Sequence, residues 1–140
     1  MSVANIAKVA TVAFAGIDAI KIDVQVHIGP GLPFFTIVGL PDKAIGEAKE
    51  RIRAVFNIIG LNLPTKRITI NMSPASLQKE GSHYDLPIAI GLLVAMEIIP
   101  QDAVDNWVVL GELALDGHLQ RAPGALMAAM YANSHDMVLV

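Results

Sequence analysis

Ser82, His83 and Asp85 stand almost side by side in this 140-residue chain, and they are the three residue types of a hydrolase triad. A triad needs the serine on one nitrogen of the histidine and the aspartate on the other, usually from separated segments. Three near neighbours on one loop are hard to arrange in this way, and no oxyanion site is evident beside them. We therefore expect Ser82 and His83 to line a loop and Asp85 to cap the following helix.

Metal and nucleotide sites are not indicated either. His27 falls on the polar side of an alternating segment, while His118 and His135 lie near turns. Only His83 and Asp85 have ligand-like proximity, and two ligands do not make a zinc site. A phosphate-binding loop needs glycines followed by Lys and Ser or Thr, and no such run occurs. We expect surface histidines, no metal ion and no cofactor in this chain.

Basic side chains form the next possible site. The residues that could contact DNA or a partner are Lys49, Arg53, Lys66, Arg67, Lys79 and Arg121. Acidic Glu47 and Glu50 interleave with them, and the chain carries a net charge of −3 with a pI near 5.7. With this net charge and pI, we expect no strongly basic surface of the kind that binds nucleic acid or an anionic membrane. A solvated surface is the simpler interpretation, and a phosphate-contacting patch is the alternative.

Composition limits the class of protein. Hydrophobic residues make up 54% of the chain and charged residues 16%, and the mean hydropathy is +0.53. These values exclude disorder, and they predict more apolar surface than a small domain can bury alone. The longest charge-free apolar run, Leu86 to Met96, is shorter than the roughly 20 residues of a membrane span. With no cysteine and no signal peptide, we expect a cytoplasmic protein without a membrane partner.

Hydrophobic periodicity places the elements. Alternation or β-branched runs predict strands, and apolar residues at helical spacing predict helices. The predicted strands cover 5–15, 18–28, 34–38, 66–72, 107–113, a short stretch around Leu119 and 137–140, and the predicted helices cover 42–59, 86–99 and a segment from Pro123. We expect Asp42 and Asp85 to act as N-caps, Gly60 to close the first helix and Asp116-Gly117 to form a hairpin turn.

This order predicts an α+β fold, with helices packed on one face of a mostly antiparallel sheet of four to five strands. The first three strands would form an antiparallel meander. We expect the side chains of Ile52, Phe56, Ile90 and Leu93 to lie beneath the helices, and Glu47 to pair with Arg51 on the wet face. The chain ends within an apolar stretch, Met137 to Val140, which predicts a fragment of a longer polypeptide.

Three stretches together carry a more specific signal. They are Phe34-Phe35-Thr36-Ile37-Val38-Gly39-Leu40-Pro41, Lys79-Glu80-Gly81-Ser82-His83-Tyr84-Asp85-Leu86-Pro87-Ile88-Ala89 and Gly111-Glu112-Leu113-Ala114-Leu115-Asp116-Gly117. With the segment from Lys66 to Ala75 between them, the whole chain closely resembles the N-terminal domain of magnesium-chelatase-like AAA+ ATPases, the competence protein ComM (YifB) family.

The resemblance implies one domain over residues 1–140, with a Lon-protease-like fold of the ribosomal protein S5 domain 2-like type. It implies that an AAA+ module follows the domain and holds the ATP and magnesium. It also implies a hexameric DNA motor for branch migration in natural transformation. The partners would then be the chain's own C-terminal AAA+ module, neighbouring subunits and, through the parent protein, DNA.

Lon-type proteases use a serine nucleophile and a lysine base, because a neutral amine can take the hydroxyl proton. Similarity to their Lys-Asp-Gly-Pro-Ser-Ala-Gly run places Asp85 or His83 at the serine position, and only a slipped alignment offers Ser82. The lysine position corresponds to Leu126, which cannot act as a base. The resemblance therefore implies a degenerate site at Ser82, His83, Asp85 and Leu126, with no proteolysis.

The leading hypothesis is a non-catalytic accessory domain that helps a ring ATPase to assemble or to engage DNA. A domain that contacts DNA in its own right is the alternative. A residual hydrolase at Ser82, or a small-ligand site in the loop between Ser73 and Tyr84, is a third hypothesis.

Overall fold

A computed structural model describes residues 6–16, 18–75, 77, 79–120 and 124–140. These segments contain eight strands and four helices. The strands are β1 (Ile6–Ala15), β2 (Asp18–Gly29), β3 (Phe34–Val38), β4 (Arg67–Ser73), β5 (Trp107–Val108), β6 (Glu112–Leu113), β7 (Leu119–Gln120) and β8 (Val138–Leu139). The helices are α1 (Asp42–Ile58), α2 (Asp85–Ala95), α3 (Gln101–Val104) and α4 (Ala125–Ser134). The chain thus has an α+β fold, as the order of the elements predicted.

The main sheet has six strands in the order β3-β4-β2-β1-β5-β8. Its β1–β2 and β2–β4 pairings are antiparallel, while the β3–β4, β1–β5 and β5–β8 pairings are parallel. The sheet is therefore mixed, and the prediction of a mostly antiparallel sheet of four to five strands was wrong. The predicted meander was also wrong, because β4 lies between β2 and β3. Helix α1 supplies the long crossover that a parallel β3–β4 pair requires.

Alternation in β2 and β4 correctly marks the buried face of the sheet. Ile22, Val24 and Val26 of β2 are buried, and Ile68, Ile70 and Met72 of β4 lie beside them on the same face. On the opposite face, the Asn71 amide donates a hydrogen bond of 3.1 Å to the Gln25 side chain across the strand pair.

Helices α1 and α2 cover this apolar face. Ile52, Phe56 and Ile90 are buried there, as predicted, and Leu93 is half-buried. Gly91 allows α2 to approach the sheet closely, because a Cβ at this position would lie only 2.8 Å from a methyl group of Val26. The apolar helix α2 is therefore central in the core.

Helix α4 packs on the other face of the sheet. Its Ala128 and Ala132 are buried against Val12 of β1 and Val108 of β5. The expectation that all helices share one face was therefore wrong. Successive side chains of a strand point to opposite faces, and β1 is apolar at nearly every position, so it is buried from both sides.

Several element ends differ from the predicted ones. Helix α2 ends at Ala95, four residues early, and Glu97 follows with a φ of +64°. The predicted strand over 107–113 is divided between β5 and β6, because β6 turns away to pair with β7. That small hairpin turns at Gly117, as predicted. The predicted helix start at Pro123 lies outside the described residues, and α4 begins at Ala125.

The N-terminal caps also differ. Pro41 and Tyr84 occupy the N-cap positions of α1 and α2, and neither helix has a side-chain cap. Asp42 and Asp85 are instead the first helical residues, so both predicted caps were wrong. At the other end of α1, Gly60 adopts a φ of +78° and the Leu61 N–H donates to the Phe56 carbonyl, which confirms the predicted stop.

Candidate functional site

The loop between β4 and α2, together with the first residue of α2, carries the residues that most resembled a catalytic site. Four of its polar or aromatic side chains are almost completely buried: Lys79, His83, Tyr84 and Asp85. Ser82 is half-buried. Ser82 and His83 do lie in a loop, as expected, but the side chain of His83 is buried, and the contacts of the four buried groups decide what chemistry they can do.

Asp85 connects three elements of the fold. The Arg51 guanidinium donates to its carboxylate through Nε at 2.6 Å and through Nη2 at 3.0 Å. The Leu113 N–H of β6 donates to the same carboxylate at 3.0 Å. Burial raises the pKa of Asp85, whereas the bonds from Arg51 and Leu113 lower it; the bond to Asp85 raises the pKa of Arg51. Arg51 is thus committed to Asp85 and does not form the expected surface pair with Glu47.

His83 is a core residue and not a surface histidine as predicted. Its ring lies 5.2 Å from the Phe14 ring and 4.0 Å from the Tyr84 ring, measured between centroids. The Nε2 atom lies 2.8 Å from the Val12 carbonyl oxygen, which can only accept, so Nε2 carries the proton. Burial lowers the pKa of His83 and keeps the ring neutral. The ring is therefore fixed by the core.

Lys79 is buried, and its ammonium joins three backbone carbonyl groups. Its ammonium donates to the carbonyl oxygens of Pro74 at 2.6 Å, Leu77 at 2.8 Å and Gly39 at 3.2 Å, so all three N–H donors are used. Burial lowers the pKa of Lys79. The predicted contact between Lys79 and DNA or a partner was wrong, because this side chain is only 1% exposed.

Gly39 permits the close approach of its own turn to Lys79 and β4. It adopts a φ of +105°, and a Cβ there would lie 2.7 Å from the Met72 carbonyl oxygen. The turn between β3 and α1 can therefore approach β4 and the Lys79 ammonium only with glycine at this position.

The fourth residue of the degenerate Lon-like site lies on α4. Leu126 is 75% exposed there, and its side chain offers neither a proton acceptor nor a charge. His83, Asp85 and Lys79 are all occupied by the internal contacts described above. Among the described residues, no group of three or more His, Cys, Asp or Glu side chains is placed to hold a metal ion.

Four of the predicted basic residues lie at the surface around the start of β3. We call this region the basic corner, and it consists of Lys49, Arg53, Lys66 and Arg67 together with the exposed Phe34, with Phe34 and Arg67 on the sheet face opposite to Phe35. The Lys49 ammonium lies 5.5 Å and the Arg53 guanidinium carbon 5.4 Å from the centroid of the Phe35 ring. In the β3–β4 register, Arg67 lies directly opposite Phe34.

A cavity of about 180 Å³ opens within the basic corner. Phe34, Arg53 and Lys66 line it, together with apolar side chains from the two adjoining loops. None of the four cations forms a salt bridge with an acidic side chain in the part of the chain that the structure describes. Arg121, the last predicted contact residue, lies outside that part.

No helix among the described segments has the length and apolar character of a membrane span.

Comparison with known proteins identifies the family. Residues 24–140 match the family model described as subunit ChlI of Mg-chelatase. The chain is 48% identical to the protein YifB of Escherichia coli over 122 residues, which are 87% of this chain and 24% of YifB. It is 38% identical to the competence protein ComM of Haemophilus influenzae over 128 residues, which are 91% of this chain and 25% of ComM.

The chain thus spans about a quarter of the length of these curated relatives. The match with the family model covers most of the chain, and it includes all three motifs that resembled this family. The chain therefore belongs to the magnesium-chelatase ChlI-like family that includes YifB and ComM.

Proposed function

We propose that this chain is a non-catalytic accessory domain of a ComM-type AAA+ ATPase, which supports ring assembly or the engagement of DNA. The observation that carries the proposal is the burial of Lys79, His83 and Asp85, whose polar groups are engaged in contacts within the fold. The resemblance to Lon-type proteases implies that a nucleophile would stand at His83 or Asp85. ATP and magnesium would belong to an AAA+ module outside this chain, which acts in a hexamer during DNA branch migration.

Exposed apolar side chains support a role in assembly. On α4, Leu126 is 75% and Met130 is 65% exposed, and Leu119 of β7 is 58% exposed. Leu126 and Met130 are four residues apart and therefore lie on one face of α4, and adjoining exposed apolar groups are typical of surfaces that meet another module or subunit. The length of the relatives leaves ample chain for such a module.

The basic corner supports the second candidate function, in which this domain contacts DNA itself. Unpaired cations beside an exposed aromatic ring are typical of nucleic-acid contacts. A residual serine hydrolase has less support, because the buried Lys79 and the exposed Leu126 leave Ser82 without a lysine base.

An exchange experiment in ComM of Haemophilus influenzae tests the proposal. The quarter of ComM that matches this chain is deleted, or replaced by this chain with or without Ser82→Ala, and transformation frequency and ring formation are measured. We expect deletion to abolish both, and both replacements to restore them equally. Restoration by the unchanged chain but not by Ser82→Ala, or labelling of Ser82 by a fluorophosphonate, would contradict the non-catalytic assignment.

A further inference from the structure

We propose that strand β3 is the surface through which two copies of this chain pair, edge to edge and antiparallel, about a two-fold axis through Thr36. This inference deepens the assembly role and rests on that part of the proposed function, because it names the strand by which one copy meets another. Three features support it: the side chains of β3, the direction of its free backbone groups and the distribution of charge along α1.

Strand β3 lacks the features that normally protect the edge of a sheet. It lies at one end of the six-stranded sheet, and no strand in the described part of the chain pairs with its outer side. Edge strands usually carry a charge, a proline or a bulge that prevents pairing with another chain. The five residues of Phe34–Val38 include no charge and no proline, and their register with β4 is continuous. A further strand can therefore be added to this edge.

Exposed apolar side chains mark the same strand. On the sheet face opposite to α1, the side chains of β4 are polar, namely Arg67, Thr69 and Asn71. On that face the neighbouring β3 presents Phe34, which is 60% exposed, and Val38, which is 44% exposed. Adjoining apolar groups at the edge of a polar face are typical of a surface that another molecule covers.

The free backbone groups of β3 suit antiparallel pairing about Thr36. The Phe34 N–H donates to the Lys66 carbonyl at 3.4 Å, so the backbone groups of Phe34 face β4. Because these groups alternate in direction along a strand, the N–H and C=O of Phe35 and Ile37 face the free edge. With Thr36 on the axis, Phe35 of each copy lies opposite Ile37 of the other. Each of these two pairs can then exchange two hydrogen bonds.

This register also matches the exposed side chains with one another. Phe34 of one copy would lie opposite Val38 of the other, and the two Thr36 side chains would meet on the axis. An aromatic ring opposite a β-branched side chain, and threonine opposite threonine, are favourable cross-strand pairs. An axis through any other residue of β3 would leave at least two of its five residues unpaired. The strand is therefore self-complementary in one register.

The charges on α1 favour a second copy as the occupant of this edge. Asp42, Lys49 and Arg53 lie on one face of α1, because spacings of seven and eleven residues return to nearly the same direction. The two cations lie over the Phe35 ring, whereas Asp42 begins the helix just after the end of β3. Since α1 runs back along β3 to reach the parallel strand β4, the two-fold axis would place the acidic end of one α1 beside the basic part of the other.

Disulfide trapping tests the register, since the chain contains no cysteine. Thr36→Cys would place two thiols in a non-hydrogen-bonded pair with Cα atoms about 4.5 Å apart, which a disulfide can span. The matched control is Thr69→Cys, which lies beside Thr36 on β4 and would be about 14 Å from its copy. We expect Thr36→Cys to form a covalent dimer in oxidised glutathione at least tenfold faster than the control. Equal rates would overturn the register.

Sedimentation equilibrium at concentrations up to the millimolar range measures the reversible dimer, which should be weak because two short strands form a small interface. Phe34→Lys and Val38→Glu should each weaken dimerisation about tenfold, because each places a charge opposite an apolar side chain. The double variant should regain it, since each introduced lysine would face an introduced glutamate of the other copy. Within one copy the two positions are roughly 13 Å apart and cannot pair. No recovery in the double variant would contradict the proposed pairing.

The control for these variants is Leu126→Lys, which changes an exposed apolar residue on α4 and should leave the dimer unchanged. Circular dichroism of each variant shows that the fold is retained. A dimer that is lost in Leu126→Lys but kept in Phe34→Lys would assign the contact to α4 and overturn the inference. A monomeric chain without Thr36→Cys trapping that still restores ComM in the exchange experiment would refute this contact and leave the accessory role intact. Failure of the exchange beside a trapped dimer would refute the accessory role alone.

Discussion

Arg51 and Asp85 form a two-point ion pair, with hydrogen bonds of 2.6 and 3.0 Å, between α1 and the first residue of α2. Asp85 is completely buried, while the Arg51 side chain is 20% exposed. Because Leu113 also donates to this carboxylate, one side chain fixes α1, α2 and β6 relative to one another. The aspartate of the family-like motif is therefore a tertiary contact and not a helix cap.

Replacement of Asp85 by alanine should destabilise the fold by about 3 kcal/mol. Removal of one partner of a buried ion pair costs several kcal/mol, and the partial exposure of Arg51 places this pair at the lower end. Chemical denaturation measures the loss. The matched control is Asp42→Ala at the first residue of α1, where the exposed side chain should contribute less than about 0.5 kcal/mol. Equal losses in the two variants would show that Asp85 acts only through its helix-terminal position.

Asp85→Ser should create no peptidase activity. The serine would be buried beside Arg51, and Leu126 would still supply no base. Casein hydrolysis is the measurement, with the unchanged chain as the control. Cleavage by the variant alone would show that the degenerate site retains catalytic machinery.

Tyr84→Phe should be neutral or stabilising near pH 7, by up to about 1 kcal/mol. The buried Tyr84 hydroxyl has no hydrogen-bond partner among the described residues, so its removal eliminates a desolvation cost. The stability difference between Tyr84→Phe and the unchanged chain should increase at alkaline pH. Burial raises the pKa of Tyr84 to about 12. The unfolded chain therefore loses this proton at lower pH than the folded chain, and stability falls between about pH 10 and 12.

The alkaline loss from Tyr84 amounts to about 2 kcal/mol by pH 12. Lys79 has the opposite effect on the pH dependence of stability. Burial lowers its pKa in the folded state, so its contribution to the free energy of unfolding increases as the pH rises toward 10.5. The difference between the unchanged chain and Tyr84→Phe isolates the tyrosine. A constant difference in unfolding free energy from pH 8 to pH 11 would contradict the assignment.

His83 should make the fold sensitive to mild acid. Burial lowers its pKa in the folded state, so the unfolded chain binds a proton first as the pH falls below about 6.5. The contribution of His83 to the free energy of unfolding is therefore full near neutral pH, and it decreases as the pH falls toward the lower folded-state pKa. Thermal unfolding from about pH 7 to pH 5 should therefore show a smaller fall in Tm for His83→Gln. Parallel pH profiles for the two proteins would argue against a neutral buried ring.

Lys79→Met should destabilise the fold by about 2 kcal/mol, because three carbonyl oxygens lose their charged donor. The same variant should bind oligonucleotide as the unchanged chain does, since the ammonium is not at the surface. Urea denaturation and anisotropy give the two measurements. Lys43→Met, on the exposed side of α1, is the control for removal of one charge. Weaker oligonucleotide binding by Lys79→Met than by this control would restore Lys79 as a contact residue.

The sequence predicts the elements better than their arrangement. Alternation in β2 and β4, and the helical spacing in α1, depend on local periodicity and were recovered with small errors at the ends. Strand pairing depends on residues far apart in the chain. Nothing in the sequence of Phe34–Val38 distinguishes pairing with β2 from pairing with β4, so the meander was the simpler prediction.

In the candidate site, too, local pattern was predictable from the sequence and contacts between distant residues were not. Lys79, His83 and Asp85 are polar, and polar residues in a stretch without clear periodicity favour a solvated loop. Their burial depends on partners at distant positions, namely Gly39, Val12 and Arg51. The basic corner was partly predictable, because four of the six basic residues named from the sequence lie there. The contribution of Phe34 was not, since its exposure follows from the edge position of β3.

The position of the β1–β2 hairpin has a consequence for synthesis. This hairpin precedes β4 and β5 in the chain, and it occupies the centre of the sheet, with β4 on one side and β5 on the other. We therefore expect the sheet to assemble outward from this hairpin during synthesis, because β4 and β5 can each pair with a strand that has already been made, whereas β3 pairs only with β4. Without the first 29 residues, the remaining chain would present two unpaired inner edges, which are templates for aggregation.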